Sequence, residues 1–284
     1  MSLKSIILKN PYISTFLVIA IILLPLGLKD MLIGDLRQSN MPMYAFIFGL
    51  GQLTLSFIII LLMKKTEVFS IDDFRFKEMG KGFLLAWFGI LVAVLIFLMS
   101  LTQLPKGSLI VPNLWHILVC MFATMTTGIF EEILCRGFAL KILLSKIGNT
   151  KKGIIKACFV SSLFFGLAHF YNIISVGEIL PVTFQVIYAT AVGFYFAALY
   201  LRTKRLWILI IVHALINFSS MVFGAIVSPD ILAQLDQTQE EVNILGVIIG
   251  TAVIAVPFTI AGIILIRKVN PQTDEIEIES EGTE

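Results

Sequence analysis

Apolar residues run along this chain in eight long stretches, at about residues 12–28, 43–63, 82–102, 114–138, 154–174, 179–201, 206–227 and 244–266. A helix rises ~1.5 Å per residue, so about 20 apolar residues cross a hydrocarbon layer of ~30 Å. The stretches meet that length, and the chain reads as all-α: a polytopic membrane helical bundle of about eight transmembrane helices. The fourth pattern continues as FALKILLSKIG, which predicts a helix that runs on beyond the membrane or bends near Gly137. The first, preceded by Lys4 and Lys9, resembles a signal peptide. Its apolar region is long, however, and no small-residue cleavage site follows ILLPLGLKD, so a retained anchor is expected.

Composition agrees: 58% of the 284 residues are hydrophobic, 14% are charged, and the mean hydropathy is +0.95. A soluble domain carries about a quarter charged residues. Of the 21 Lys and Arg, all but Lys29, Arg37 and Lys106 fall in the N-terminus, the 64–81 loop, the 136–156 region, the 202–205 turn and the C-terminal flank. That bias predicts both termini in the cytoplasm and an even number of spans. With a net charge of only +2 and basic residues that follow topology, no nucleic-acid partner is expected. Cys120, Cys135 and Cys158 lie in apolar spans without a CxxC pair and read as small packing residues.

The loops are short, and no soluble domain is expected. Three regions are distinguished: 1–112, an N-terminal three-helix membrane region; 113–225, a helical core that carries the chemistry; and 226–284, a last transmembrane helix with an acidic tail. Loop 64–81 mixes Phe69, Phe74 and Phe76 with charges of both signs, and suits either an interfacial or a solvated loop. The tail NPQTDEIEIESEGTE, with six acidic and no basic residues, reads as a disordered cytoplasmic end, and the outer loop 228–243 is acidic too.

Ionisable side chains in hydrocarbon cost at least a few kcal/mol and mark functional candidates. Four sites stand out, FEEILCRG, FFGLAHFYN, TFQVIYAT and IVHALINFSS. Glu132 and Arg136 are four apart, share a helix face and can pair. Glu131 is rotated by about 100° and cannot share that geometry. It needs another partner or a proton, and a buried carboxyl of that kind suits a general acid or base. His213 and Asn217 are again four apart and can both donate to one oxygen, the makeup of an oxyanion hole; an interhelical hydrogen-bond pair has the same spacing. His169 sits deep in the fifth span, whereas His116 lies at the edge of the fourth and reads as interfacial.

Depth offers an independent comparison. At ~1.5 Å per residue, His169 lies about 20 Å from Lys156, His213 about 12 Å from Arg205, Asn217 about 18 Å from Arg205, and Glu131 about 22 Å from Lys146. A shared level follows from one constellation and not from separate packing roles.

Glu-Glu-x-x-x-Arg, Phe-x-x-x-His and His-x-x-x-Asn, in that order on successive segments, resemble the CPBP family, which groups type II CAAX prenyl endopeptidases with bacterial Abi and bacteriocin-processing proteases. EEILCR, FGLAH and HALIN match the three motifs, and the resemblance covers roughly residues 113–225. It implies an eight-helix intramembrane endopeptidase in which Glu131 and His169 activate a water, His213 and Asn217 steady the oxyanion, and Glu132 with Arg136 supports them. No cofactor is expected, because HExxH is absent. A zinc would need Glu131, His169 and His213 from three separate helices.

Two other classes compete. A non-catalytic scaffold or bacteriocin-immunity protein of the same fold has no use for intact motifs. A proton-coupled carrier predicts matching broken helices in two halves, and the polar sites noted here are confined to the second half. The expected protein is a multi-pass protease of a bacterial plasma membrane, with its site open toward the cytoplasm. Its expected partners are membrane lipid and a peptide or membrane-tethered substrate, such as a pheromone, bacteriocin or signalling peptide. Gln185 is expected either to line the site or to make an interhelical hydrogen bond.

Overall fold

The structure, a computed structural model, describes residues 3–102, 113–226 and 244–269. The acidic tail, the acidic 228–243 loop and the loop carrying Lys106 lie outside the described residues. Eleven principal helices are seen among them: α1 (Leu3–Lys9), α2 (Pro11–Gly27), α3 (Lys29–Ser39), α4 (Met41–Lys65), α5 (Met79–Leu85), α6 (Trp87–Thr102), α7 (Leu114–Ile147), α8 (Lys151–Asn172), α9 (Ile179–Thr203), α10 (Leu206–Ile226) and α11 (Ile244–Arg267).

Their starts are written locally. The Asn10, Asn40 and Asn113 side chains accept from backbone N–H groups in the first turns of α2, α4 and α7, and Thr150 does the same for α8. Each such cap satisfies donors that have no partner within the helix. At the other end of α9, Lys204 takes a left-handed conformation (φ 51°) that turns the chain into α10.

Among the described residues six helices are long and apolar enough to cross a membrane, and up to eight spans result if two bent pairs count as one each. One bend, 113° between α1 and α2, falls just before the first expected span, and the other, 67° between α5 and α6, falls within the third. The protein is thus a multi-pass helical membrane protein, and α11 shows apolar Leu245, Ile249, Val253 and Ile260 on its outer surface.

Helix α7 is the spine, packed against α4 and α10, while α9 packs on α8 and α11. Its predicted extension past Gly137 is present without a break. From Ile133 to Leu140 the helix widens to π geometry, and all eight residues there are buried. Such wide turns are frequent at functional sites. Ser161 Oγ donates to Cys135 O, 3.0 Å away, inside this stretch.

The basic connections gather at one end of the bundle. There Lys4 on α1 bonds Glu67, Arg202 donates to Lys268 O, and Lys151 donates to Ile266 O and Val269 O. Loop 64–78 is neither free nor purely interfacial. Its short 3-10 turn, Ile71–Phe74, folds onto the bundle, where buried Asp73 pairs with Lys141 and accepts from Tyr200 Oη at 2.6 Å. Arg136 and Lys141, counted above among the topology-setting charges, are both buried in the protein.

Candidate active site

Glycine brings two of the site's helices together. A Cβ at Gly128 of α7 would lie 2.9 Å from Ile210 O on α10, closer than a side chain permits. One turn further along α7, that approach lets Glu132 reach His213: Oε1 is 2.8 Å from His213 Nδ1. The same oxygen accepts from Arg136 Nη1 at 3.0 Å, the predicted pairing across one turn. Arg136 Nη2 donates to Gly193 O at 2.9 Å, and its guanidinium lies 4.7 Å from the Phe165 ring centre and 5.5 Å from that of Phe196. Both members of the pair are fully buried, so the charge-assisted bonds and the two ring faces stand in for lost solvation.

Glu131 points elsewhere, as its rotation on the helix requires. Its carboxylate is 16% exposed and Oε2 lies 3.4 Å from His213 Nε2. His213 therefore stands between the two adjacent glutamates, with Nδ1 on Glu132 and Nε2 toward Glu131.

His169 begins the last turn of α8, where the helix tightens to 3-10 form. Its Nδ1 bonds Phe165 O at 2.9 Å, and its ring meets Phe165 edge to face at 4.9 Å. An Nδ1–H given to a carbonyl leaves the Nε2 lone pair available.

Glu131, His169, His213 and Asn217 all line one cavity of about 390 Å³, a size that suits a small ligand or a short peptide segment. The structure thus brings together the four residues singled out as reacting or stabilising groups. No direct bond joins Glu131 to His169 among the described residues. Gln185 both lines the cavity and accepts from Asn172 Nδ2 at 2.9 Å, so its two expected roles coexist. His116 lies in the first turn of α7, away from the cavity lining, and the three cysteines are free and buried.

The mouth is lined by Arg37, Met41, Tyr171 and Met221, at the end of the bundle opposite the basic connections. Toward the basic end, Phe138, Leu140, Ile142 and Leu143 are fully buried and fill the bundle. Among the described residues no three His, Cys, Asp or Glu side chains are grouped to hold a metal ion.

Sequence reasoning missed one wall. Tyr44, Phe48 and Gln52, spaced four apart on α4, line the cavity, as do Thr127 and Asn172. Gln52 carried a usable signal, a lone amide inside the second apolar run, GLGQLTLS.

Residues 112–219, which hold Glu131, His169, His213 and Asn217, match the family described as type II CAAX prenyl endopeptidase Rce1-like. The match covers well under half of the chain, and for this segment it supports the resemblance to the CPBP family. No curated protein and no solved structure matches the chain. The Rce1-like segment supplies most of the cavity lining, while α3 and α4, which precede it, complete the cavity.

Proposed function

We propose that this protein is an intramembrane endopeptidase of the glutamate type, acting on a membrane-associated or hydrophobic peptide. The observation that carries the proposal is the convergence of Glu131, His169, His213 and Asn217 on one cavity. Glu131, with the free Nε2 of His169 nearby, takes a proton from water as the water oxygen attacks the peptide carbonyl carbon. The carbonyl oxygen gains negative charge and accepts hydrogen bonds from His213 Nε2–H and the Asn217 amide. Collapse breaks the C–N bond, the proton passes to the leaving nitrogen, and an acid and an amine result.

The contacts of His213 suit that role. To donate through Nε2 while Nδ1–H is held by Glu132, the ring must carry both protons. Glu131 and Glu132 flank this cation, and Arg136 balances the second carboxylate. The four charges cancel within a buried cluster.

The basic connections favour a cytoplasmic placement of both termini. The preferred setting is a bacterial plasma membrane, and the preferred substrates are pheromone, bacteriocin or signalling peptides. In that orientation the cavity mouth faces away from the cytoplasm.

The test is cleavage of a quenched-fluorescent membrane-peptide library by purified protein, beside Glu131→Ala and beside a chelator. Cleavage that survives chelator and vanishes in the variant is expected. Loss with chelator and recovery with zinc would overturn the glutamate-type assignment. A wild-type protein inert toward every peptide would overturn the peptidase reading in favour of a scaffold.

A further inference from the structure

We propose that Asn172 and Gln185 form a substrate-positioning pair, which takes the backbone N–H and C=O of one residue of an extended peptide. That residue lies about two positions from the scissile bond, on the mouth side. The proposal rests on the peptidase reading above, but on two side chains that take no part in its chemistry.

Asn172 Nδ2 donates to Gln185 Oε1 at 2.9 Å, and both side chains are half-buried and line the cavity. A primary amide carries two N–H donors and one oxygen acceptor. One bond between the two amides therefore leaves the Asn172 oxygen without a donor, and the Gln185 nitrogen without an acceptor, among the described residues. Exchange of oxygen and nitrogen in both amides moves the acceptor to Gln185 and the donors to Asn172, so the pair presents one of each in either arrangement. A residue of an extended strand offers the matching set, because its N–H and C=O lie on one edge and are taken together in antiparallel pairing. Main-chain bonds of this kind give affinity without reading a side chain.

The fold holds the pair in register. A Cβ at Gly166 of α8 would lie 2.7 Å from Val186 O, so α8 and α9 meet closely beside Gln185. From His169 to Asn172 the chain takes 3-10 form. Three residues complete such a turn, so Asn172 stands over His169 on the same face, about 6 Å nearer the mouth. An extended chain advances ~3.3 Å per residue, which makes the gap about two residues.

The test pairs variants with altered peptides. Asn172→Leu and Gln185→Met each replace one amide by an apolar group of similar size. Each is expected to lower kcat/KM by about five- to tenfold, the worth of one hydrogen bond. A scan of peptides in which one backbone N–H is replaced by an ester oxygen then separates positioning from helix packing. The ester removes that N–H and weakens the carbonyl before it. With the ester at the seated residue, the ratio of wild type to Asn172→Leu should fall to near one. With the ester at the following residue, the ratio of wild type to Gln185→Met should do so. At other positions both ratios should keep their full value. Exchange of the two positions between the variants would equally support the pair, with its amides turned over. If Gln185→Met does not fold, Gln185→Glu keeps an acceptor for Asn172 and carries the same comparison. Ratios that are the same at every position would reduce the pair to interhelical packing and overturn the proposal, with the peptidase left standing. Absence of any cleavage by wild type would overturn both.

Discussion

His213 Nδ1 lies 2.8 Å from Glu132 Oε1, so the glutamate that pairs with Arg136 also holds a histidine from another helix. Glu132 is thereby the joint between a buried cation and the ring facing the cavity. Glu132→Gln leaves Arg136 buried without its counter-charge and takes the carboxylate from His213. Breaking a buried pair from one side costs about 3–5 kcal/mol. A marked fall in thermal unfolding temperature in detergent, together with loss of cleavage, is expected. Arg136→Ala should show the same double loss from the other side.

Glu131→Gln should behave differently although it is the neighbouring residue. Glu131 borders the cavity and makes no pair with Arg136, so the amide keeps its shape at little structural cost. It cannot accept a proton. Loss of a general base lowers rate by about 10²–10⁴. Cleavage should fall by that range with the unfolding temperature nearly unchanged, and an active Glu131→Gln protein would remove this residue from the chemistry.

The contrast between these two glutamates was legible in the sequence, because Glu132 and Arg136, four apart, return to the same helix face, whereas Glu131 and Arg136, five apart, do not. The same rule, with the shared depth of His169, His213 and Asn217, located the cavity lining. What could not be read was contact between helices distant in sequence. Periodicity gives a residue's depth and face, but not which neighbour that face meets. The Glu132–His213 bond depends on how closely α7 and α10 cross, and the Asp73–Lys141–Tyr200 cluster on a loop folding back. The α4 wall and the direction of the mouth are hidden for the same reason. The bend between α5 and α6, at Ala86, interrupts an apolar run in which hydropathy carries no trace of it, whereas Lys9, Asn10 and Pro11 mark the bend between α1 and α2.

Gly128 tests that crossing directly. Any Cβ there meets Ile210 backbone, which cannot swing aside as a side-chain tip would. Overpacking of this kind costs typically 1–3 kcal/mol. Gly128→Val should push α7 from α10, lengthen the Glu132–His213 contact and reduce cleavage more than its effect on unfolding temperature would suggest. Gly128→Ala should fall between Val and wild type in both measurements.

At the basic end, Tyr200 and Lys141 both bond Asp73, far from the cavity lining. Tyr200→Phe removes one hydrogen bond to a charged group, worth about 1.5–3 kcal/mol. Asp73→Asn strands buried Lys141 and should cost more. Unfolding temperature should fall in that order, while the folded fraction of each variant cleaves peptide with wild-type KM. A raised KM in Tyr200→Phe would show that this cluster reaches the substrate after all.

The direction of the mouth yields the sharpest test of the architecture. Met41, exposed at the start of α4, borders the cavity, whereas Lys146 lies near the end of α7 among the basic connections. If the bundle spans the membrane as its helices are arranged, Met41→Cys and Lys146→Cys face opposite aqueous phases. The three native cysteines are buried and should not compete. In sealed vesicles, a membrane-impermeant thiol reagent added outside should modify one of the two engineered positions and not the other, and inverting the vesicles should exchange them. The positive-inside bias further expects Lys146→Cys to react from the cytoplasmic face. Reagent at Met41→Cys should also block cleavage, because the label would occupy the cavity rim; modification at Lys146→Cys should leave it unchanged. Labelling of both positions from one side would contradict the arrangement of α4 and α7, and inhibition through Lys146→Cys alone would return the entrance to the basic end.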